Sequence, residues 1–291
     1  MKKKYFVFLL FTLSLSAQIK GVVKDSITGK PIPYVNIWVQ NENIGSTTEE
    51  NGEFIINTQE NKNLVFSALG FKKKSIKSSN NIVIKLQPDV YPMEEVLILK
   101  PKKAKQITIG NSENRFYLPE PQVIPWLFAR KFQIEENNKQ LKYLKEIIYF
   151  TKSEVKNGLF RVRVYEVNEN NLPGEDLIFD EIIITTKKGK HKTIVDISKY
   201  NIQIPKEGII VAFESLLVEQ NKYYQQVVSL KPKKKYKILN YSPHIMYFYN
   251  DTIEHYNFRS GIWIHFTKEY LKKYNGVYKA PIPAINITLT N

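Results

Sequence analysis

Past its first seventeen residues this chain sustains no long helical period; its apolar residues fall in short runs separated by turn chemistry. Phe160, Val162 and Val164 alternate with Arg161, Arg163 and Tyr165, the period of two that half-buries a strand. Ile285, Ile287 and Leu289 repeat the pattern near the C-terminus. Asn51-Gly52, Pro173-Gly174, Lys188-Gly189 and Ser260-Gly261 punctuate the runs. Tyrosine (18) and phenylalanine (16) are plentiful, which biases the chain further toward strands. The expected fold class is all-β: a small N-terminal β-sandwich followed by a larger β-sandwich or jelly-roll-like domain.

The first residues have a different character. Lys2–Lys4 are positive, Tyr5–Leu15 is an apolar core, and Ser14, Ser16 and Ala17 are small. That is the layout of a secretory signal peptide, too short to cross a bilayer comfortably. Cleavage after Ala17 is expected, with cleavage after Ser16 as the alternative. The chain has no cysteine, so neither a lipid-modified N-terminus nor a disulfide is available, and stability has to come from packed cores. No later apolar run reaches the ~20 residues of a membrane helix. The formal net charge of +15 fits an exported protein near an anionic envelope surface better than a nucleic-acid binder. Lys72–Lys74, Lys102–Lys105 and Lys233–Lys235 read as solvated turns and linker.

Residues 19–88 contain about six strand-like runs. Val35, Ile37 and Val39 lie on one face of a run, with Asn36, Trp38 and Gln40 on the other; Asn51-Gly52 is a hairpin turn before Phe54. Val35, Ile37, Phe54 and Phe66 are the expected inward residues, alternating with Asn36, Trp38, Glu53 and Ser67. The opening Gly21–Asp25 with Gly29–Ile37, the stretch Gly45–Phe54, and Leu64–Phe71 occur in the order of three signatures. This segment resembles the carboxypeptidase regulatory-like domain, with Glu49 where that family more often has Asp. The resemblance implies a transthyretin-like β-sandwich, of the kind found at the start of exported and outer-membrane proteins of Gram-negative bacteria. The family often precedes the plug and barrel of TonB-dependent receptors, and Met93–Ile98 looks like the joining segment. Fewer than two hundred residues follow it here, so a receptor barrel of the usual size is not expected.

The expected organisation is a signal peptide at 1–17, the regulatory-like sandwich at 18–88, a linker at 89–115 and a β-rich domain at 116–291. The two domains are expected to fold as separate units. Beyond Val96–Leu99 no strand pattern stands out in the linker. In the second domain Pro125–Phe132 reads as a short helix, Leu271–Tyr274 as a helical turn, and Tyr223-Tyr224 as a strand end.

The chemistry of catalysis is sparse. Thiol catalysis and thiolate zinc are excluded by composition, and His191, His244, His255 and His265 fall in no zinc-binding spacing. There is no nucleophile elbow or phosphate-binding glycine loop. Glu214 with Glu219, and Asp176 with Asp180 and Glu181, read as solvent-facing acids rather than a glycosidase pair. No catalytic residue, metal or cofactor is therefore assigned, and a non-enzymatic protein is expected. The candidate binding residues are Tyr247 and Tyr249 on one strand face and Trp263 and His265 on the next run, able to stack on a sugar or grip a peptide. Core or inter-sheet packing is the preferred explanation of the same residues, because β-proteins routinely use aromatics that way. The expected role is binding or scaffolding of an envelope protein or glycan, in the periplasm or at the cell surface. Association with the outer membrane would then run through a partner. Carbohydrate binding by the second domain is the alternative, and an unrecognised enzyme the third reading.

Overall fold

The computed structural model describes residues 18–89, 105–110, 112–118, 121–230, 233–250, 254–275 and 280–291. The signal segment at 1–17 and the Met93–Ile98 motif lie outside the described residues.

The first domain contains β1 (Gln18–Asp25), β2 (Asn36–Val39), β3 (Gly45–Thr47), β4 (Glu53–Asn57), β5 (Asn63–Ser67), β6 (Lys74–Lys77) and β7 (Ile82–Leu86). They form two sheets, ordered β4-β1-β7 and β3-β2-β5-β6. β1 runs antiparallel to β4 and parallel to β7. Between the sheets lie Ile19, Val23, Leu64 and Leu86 together with Val35, Ile37, Phe54 and Phe66, the four residues expected inward. Phe54 and Phe66 meet edge to face at 5.7 Å. Gly52 has φ +75°, and a Cβ there would sit 2.7 Å from the Val23 carbonyl oxygen, so the hairpin turn admits only glycine comfortably.

The second domain begins with β8 (Gln106–Ile109), β9 (Leu127–Phe132), β10 (Tyr143–Ser153), β11 (Gly158–Val167), β12 (Pro173–Asp176), β13 (Ile183–Thr186), β14 (Gly189–Asp196) and β15 (Ile209–Ser215). It continues with β16 (Lys222–Leu230), β17 (Lys233–Tyr241), β18 (His244–Ile245), β19 (Tyr247–Asn250), β20 (His255–Arg259), β21 (Ile262–Phe266), α1 (Lys268–Asn275), β22 (Ala280–Pro283) and β23 (Ile285–Thr290). One sheet runs β14-β10-β23-β8 with β18 added on β10; the other runs β12-β11-β15-β9-β20-β21 with β13 added on β11. β16-β17 and β19-β22 are two-stranded ribbons. The core between the two large sheets holds Phe128, Ile147, Tyr149, Phe160, Val162, Val211, Phe213, Ile285 and Leu289. Phe160 stacks on Phe213 at 4.6 Å. The Tyr149 hydroxyl donates to the Ala212 carbonyl at 2.9 Å, which satisfies its polar end inside an apolar core.

Four local expectations change. The helix expected at Pro125–Phe132 is strand β9, paired on both edges with β15 and β20. Leu127, Phe128 and Ala129 are buried in succession, and a strand covered on both faces loses the alternation by which strands are read. Within the stretch expected to be linker, Gln106–Ile109 pairs with β23, and Ile107 and Ile109 pack on the core. Lys233–Lys235 is not a turn but the start of β17; Tyr223-Tyr224 lies at the start of its partner β16, a strand end as expected. The helix at Leu271–Tyr274 is longer than one turn, spanning Lys268–Asn275.

Candidate binding cleft between the two domains

The outward face of the second domain's larger sheet can be followed strand by strand. Arg161 lies opposite Glu214, Arg163 opposite Ala212 and Tyr165 opposite Ile210 across β11 and β15. Leu127 and Ala129 continue that face on β9, followed by Tyr256 and Phe258 on β20 and by Trp263 and His265 on β21. This face is not open to water, because the first domain docks on part of it. Asn36 and Trp38, the outward residues of β2, are accordingly buried, so β2 is covered on both sides. Trp38 meets Phe258 edge to face at 6.2 Å.

The docking centres on charge. Arg161 has no solvent exposure; its Nη1 donates to Glu214 Oε1 at 2.8 Å, its Nε to Glu181 Oε2 at 2.8 Å, and its Nη2 to the Tyr34 carbonyl at 2.7 Å across the domain seam. The Asn36 amide donates to the same Glu214 oxygen. Arg163 donates to Glu214 Oε2 at 3.4 Å and grips Asp176 with two nitrogens. Burial pushes the Glu214 carboxyl upward, but Arg161, Arg163 and the Asn36 amide outweigh it and hold it below the ordinary carboxylate value. Glu214 and Asp176, expected at the surface, are therefore members of a largely buried ion network. Burial of a charge on a strand is tolerable only with such partners. At the seam's margin the Leu217 amide donates to Thr47 Oγ1 at 3.0 Å and the Glu219 amide to Glu49 Oε1 at 2.8 Å.

Beside this network the domains do not close completely. A cleft of about 570 Å³ remains between them, lined from the first domain by Asn36, Trp38 and Ser67–Lys73 and from the second by Arg163, Tyr165, Pro173–Asp176, Phe179, Phe258 and Trp263. That size lies within the ~300–1,000 Å³ of small-ligand sites, which favour domain interfaces. Trp263 and Phe258 are half-buried, with ring centroids 5.1 Å apart, and Tyr165 meets Trp263 edge to face at 5.6 Å. Phe71 and Phe179 present further aromatic surface on the two walls. Asn36 Oδ1 is buried with no hydrogen-bond partner. The arrangement suits a ligand with both flat apolar faces and hydroxyl or amide edges.

The four candidate residues divide between two places. Tyr247 is buried in the core, 6.1 Å from Phe128. Tyr249 is 58% exposed and stacks on Phe116 at 4.4 Å. Trp263 lies in the cleft, while His265 stacks on Tyr256 at 4.4 Å with Nε2 2.9 Å from Glu254 Oε2. Phe128 and Leu127 are successive residues of β9, so the Tyr247 and Trp263 neighbourhoods fall on opposite faces of one sheet. Trp38, Arg163 and Tyr165 were read only as strand positions and Asp176 only as a solvent-facing acid, so none was among the candidate binding residues. Their signal was present as large aromatic and charged residues at outward strand positions. Among the described residues no cluster of His, Asp and Glu is arranged to hold a metal, and no helix is long and apolar enough to cross a membrane.

Residues 19–98 match the family of the CarboxypepD_reg-like domain. The first domain is of this family. The carboxypeptidase regulatory-like domain is thus the part that supplies β2, and with it Asn36 and Trp38, to the cleft. TonB-dependent receptor P3 of Formosa agariphila is 27% identical over 153 residues, a match that takes in 47% of this chain and 15% of the receptor. The chain spans only that small share of the relative's length. A crystal structure of a candidate carbohydrate-binding protein from Bacteroides uniformis aligns with 92% of this chain and 99% of its own at 14% identity. Its TM-score of 0.18 is too low to carry any argument.

Proposed function

We propose that this is a non-enzymatic binding protein of the Gram-negative cell envelope whose ligand, a carbohydrate, occupies the cleft between the regulatory-like domain and the second domain. The observation that carries the reading is the lining of the cleft. Trp263 and Phe258 offer half-buried rings for stacking, while Arg163 and Asp176, held by their own pairing, offer fixed polar edges beside them. The envelope assignment is supported by the regulatory-like domain and by the similarity to a TonB-dependent receptor. That same similarity favours a second reading, in which the protein scaffolds another envelope protein.

Two of the three tryptophans, Trp38 and Trp263, line the cleft, so intrinsic fluorescence reports directly on its occupancy. A glycan array with the full chain, followed by fluorescence titration of the best hit, is the test. Binding that falls tenfold or more in Trp263→Ala, with melting unchanged, supports the cleft. An array without hits, or a hit indifferent to Trp263→Ala, overturns it. Specific capture of a single envelope protein in that case favours scaffolding.

A further inference from the structure

The ribbon β16-β17 stands apart from the cleft and takes no part in the proposed function. Its two nine-residue strands are paired in register from Lys222–Tyr241 to Leu230–Lys233. One face is seated on the body of the protein. The Tyr223 hydroxyl lies 2.9 Å from His244 Nε2, Asn240 donates to Gln225 at 2.7 Å, and Asn240 Oδ1 accepts from the Gln122 amide at 2.9 Å. The other face is built from three cross-strand pairs, Tyr224–Leu239, Gln226–Lys237 and Val228–Lys235. All six of these residues are exposed, Tyr224 at 70% and Val228 at 48%.

Charge on the ribbon has one sign. Residues 222–241 include six lysines and no aspartate or glutamate. Lys222 pairs with Glu219 at the base of the ribbon; Lys234, Lys235 and Lys237 are exposed and, among the described residues, form no ion pair. A face that interleaves tyrosine, valine and leucine with lysine matches the boundary of a bilayer. There tyrosine sits at the headgroup level, and lysine lays its aliphatic stem along apolar surface with its ammonium among phosphates. Acidic headgroups draw such a polybasic segment in. A nucleic-acid partner accounts for the lysines but not for the aliphatic Val228 beside them, and an acidic-protein partner is an outcome of the test below.

We propose that the outer face of the β16-β17 ribbon docks onto a bilayer surface bearing anionic phospholipid headgroups. The inference stands independently of the cleft and its ligand. Co-sedimentation of the full chain with vesicles tests it, comparing phosphatidylcholine alone with phosphatidylcholine containing about a third phosphatidylglycerol. Binding should be at least about tenfold tighter to the anionic vesicles and should weaken sharply as salt rises from ~0.05 to ~0.5 M. The combined change of the two outer-face lysines, Lys235→Glu and Lys237→Glu, should cost tenfold or more. The same charge change at Lys30 and Lys85, exposed residues of the first domain, should cost little. Equal binding to both vesicle types, salt-insensitive binding, or no binding overturns the proposal using the unaltered protein alone. So does a folded ribbon variant that binds normally. Tight binding to soluble polyglutamate without vesicle binding shows an acidic protein as the partner and likewise overturns it.

Discussion

Asn36 on β2 of the first domain donates its side-chain amide to Glu214 on β15 of the second, a carboxylate with no solvent exposure. The same carboxylate receives Arg161, which reaches back to the Tyr34 carbonyl. One buried acid thus ties together two strands of one domain and the docking strand of the other.

Removing Glu214 should therefore be far costlier than removing an exposed acid. Glu214→Ala leaves Arg161 buried without its main counter-charge, and a loss of about 3–5 kcal/mol is expected. Asn36→Ala should cost about 1.5–3 kcal/mol, the range for a hydrogen bond to a charged group. Urea unfolding of both single variants and the double variant measures their coupling. Strictly additive losses would show that the bond across the seam is absent in solution.

At Gly45 the backbones of the two domains come close, its amide donating to the Val123 carbonyl at 3.2 Å. A Cβ there would lie 2.7 Å from Pro125 Cδ and 3.0 Å from Ile124 Cα of the second domain, and 2.9 Å from the Ile37 carbonyl oxygen. Gly45→Ala should strain the seam by about 1–3 kcal/mol and spare the first domain's own core. Faster limited proteolysis around the seam, with near-normal protection of β1 and β4 in hydrogen exchange, is the expected result.

Within the first domain, Phe54→Ala empties the centre of the sandwich, where Phe54 packs on Phe66. It should cost about 3–5 kcal/mol. Glu49→Ala removes only the acceptor of the Glu219 amide at the seam and should cost about 1 kcal/mol. Melting with and without a chelator compares the two. Unfolding by the chelator, or a reversal of the two costs, would falsify the view that packing rather than a bound ion holds this domain.

The pH dependence should carry the signature of two buried histidines. Burial lowers His244 to about 4, and burial together with nearby His265 lowers His255 to about 3, so both are neutral in the folded protein. The unfolded chain takes up these protons near pH ~6.5, so between that value and about 4 it binds more protons than the folded state. Stability is thus fully present above pH ~6.5 and falls as the pH drops, by up to ~1.4 kcal/mol per unit for each histidine. The combined variant His244→Gln and His255→Phe should flatten this slope between pH ~5 and ~7. Chemical denaturation across that range measures it, and an unchanged slope would place the proton uptake elsewhere.

Much of the strand content was legible in the residues. The alternations at Phe160–Val164 and Ile285–Leu289 report one buried face and one other face, because successive side chains of a strand point in opposite directions. The inward set Val35, Ile37, Phe54 and Phe66 followed from the same rule. Where the rule failed, the cause was a second covering. β9 lost its alternation because both of its faces are buried, and the lysines of β17 hid a strand by making its exposed face look like a turn.

The candidate cleft was less visible for a related reason. Alternation assigns Trp38, Arg161, Arg163 and Glu214 to outward faces, and they do point outward from their own sheets. It cannot say what those faces meet. The sequence by itself determined an all-β chain that opens with a carboxypeptidase regulatory-like sandwich, since both follow from short-range periodicity and local signatures. Only the tertiary structure decided that the outward face of β2 lies against β11, β15 and β20. That choice buries Glu214 between two arginines and leaves Trp263 beside an open cleft. The contacts that make it join residues as far apart as Asn36 and Glu214, and local sequence carries no record of a pairing made by whole domains.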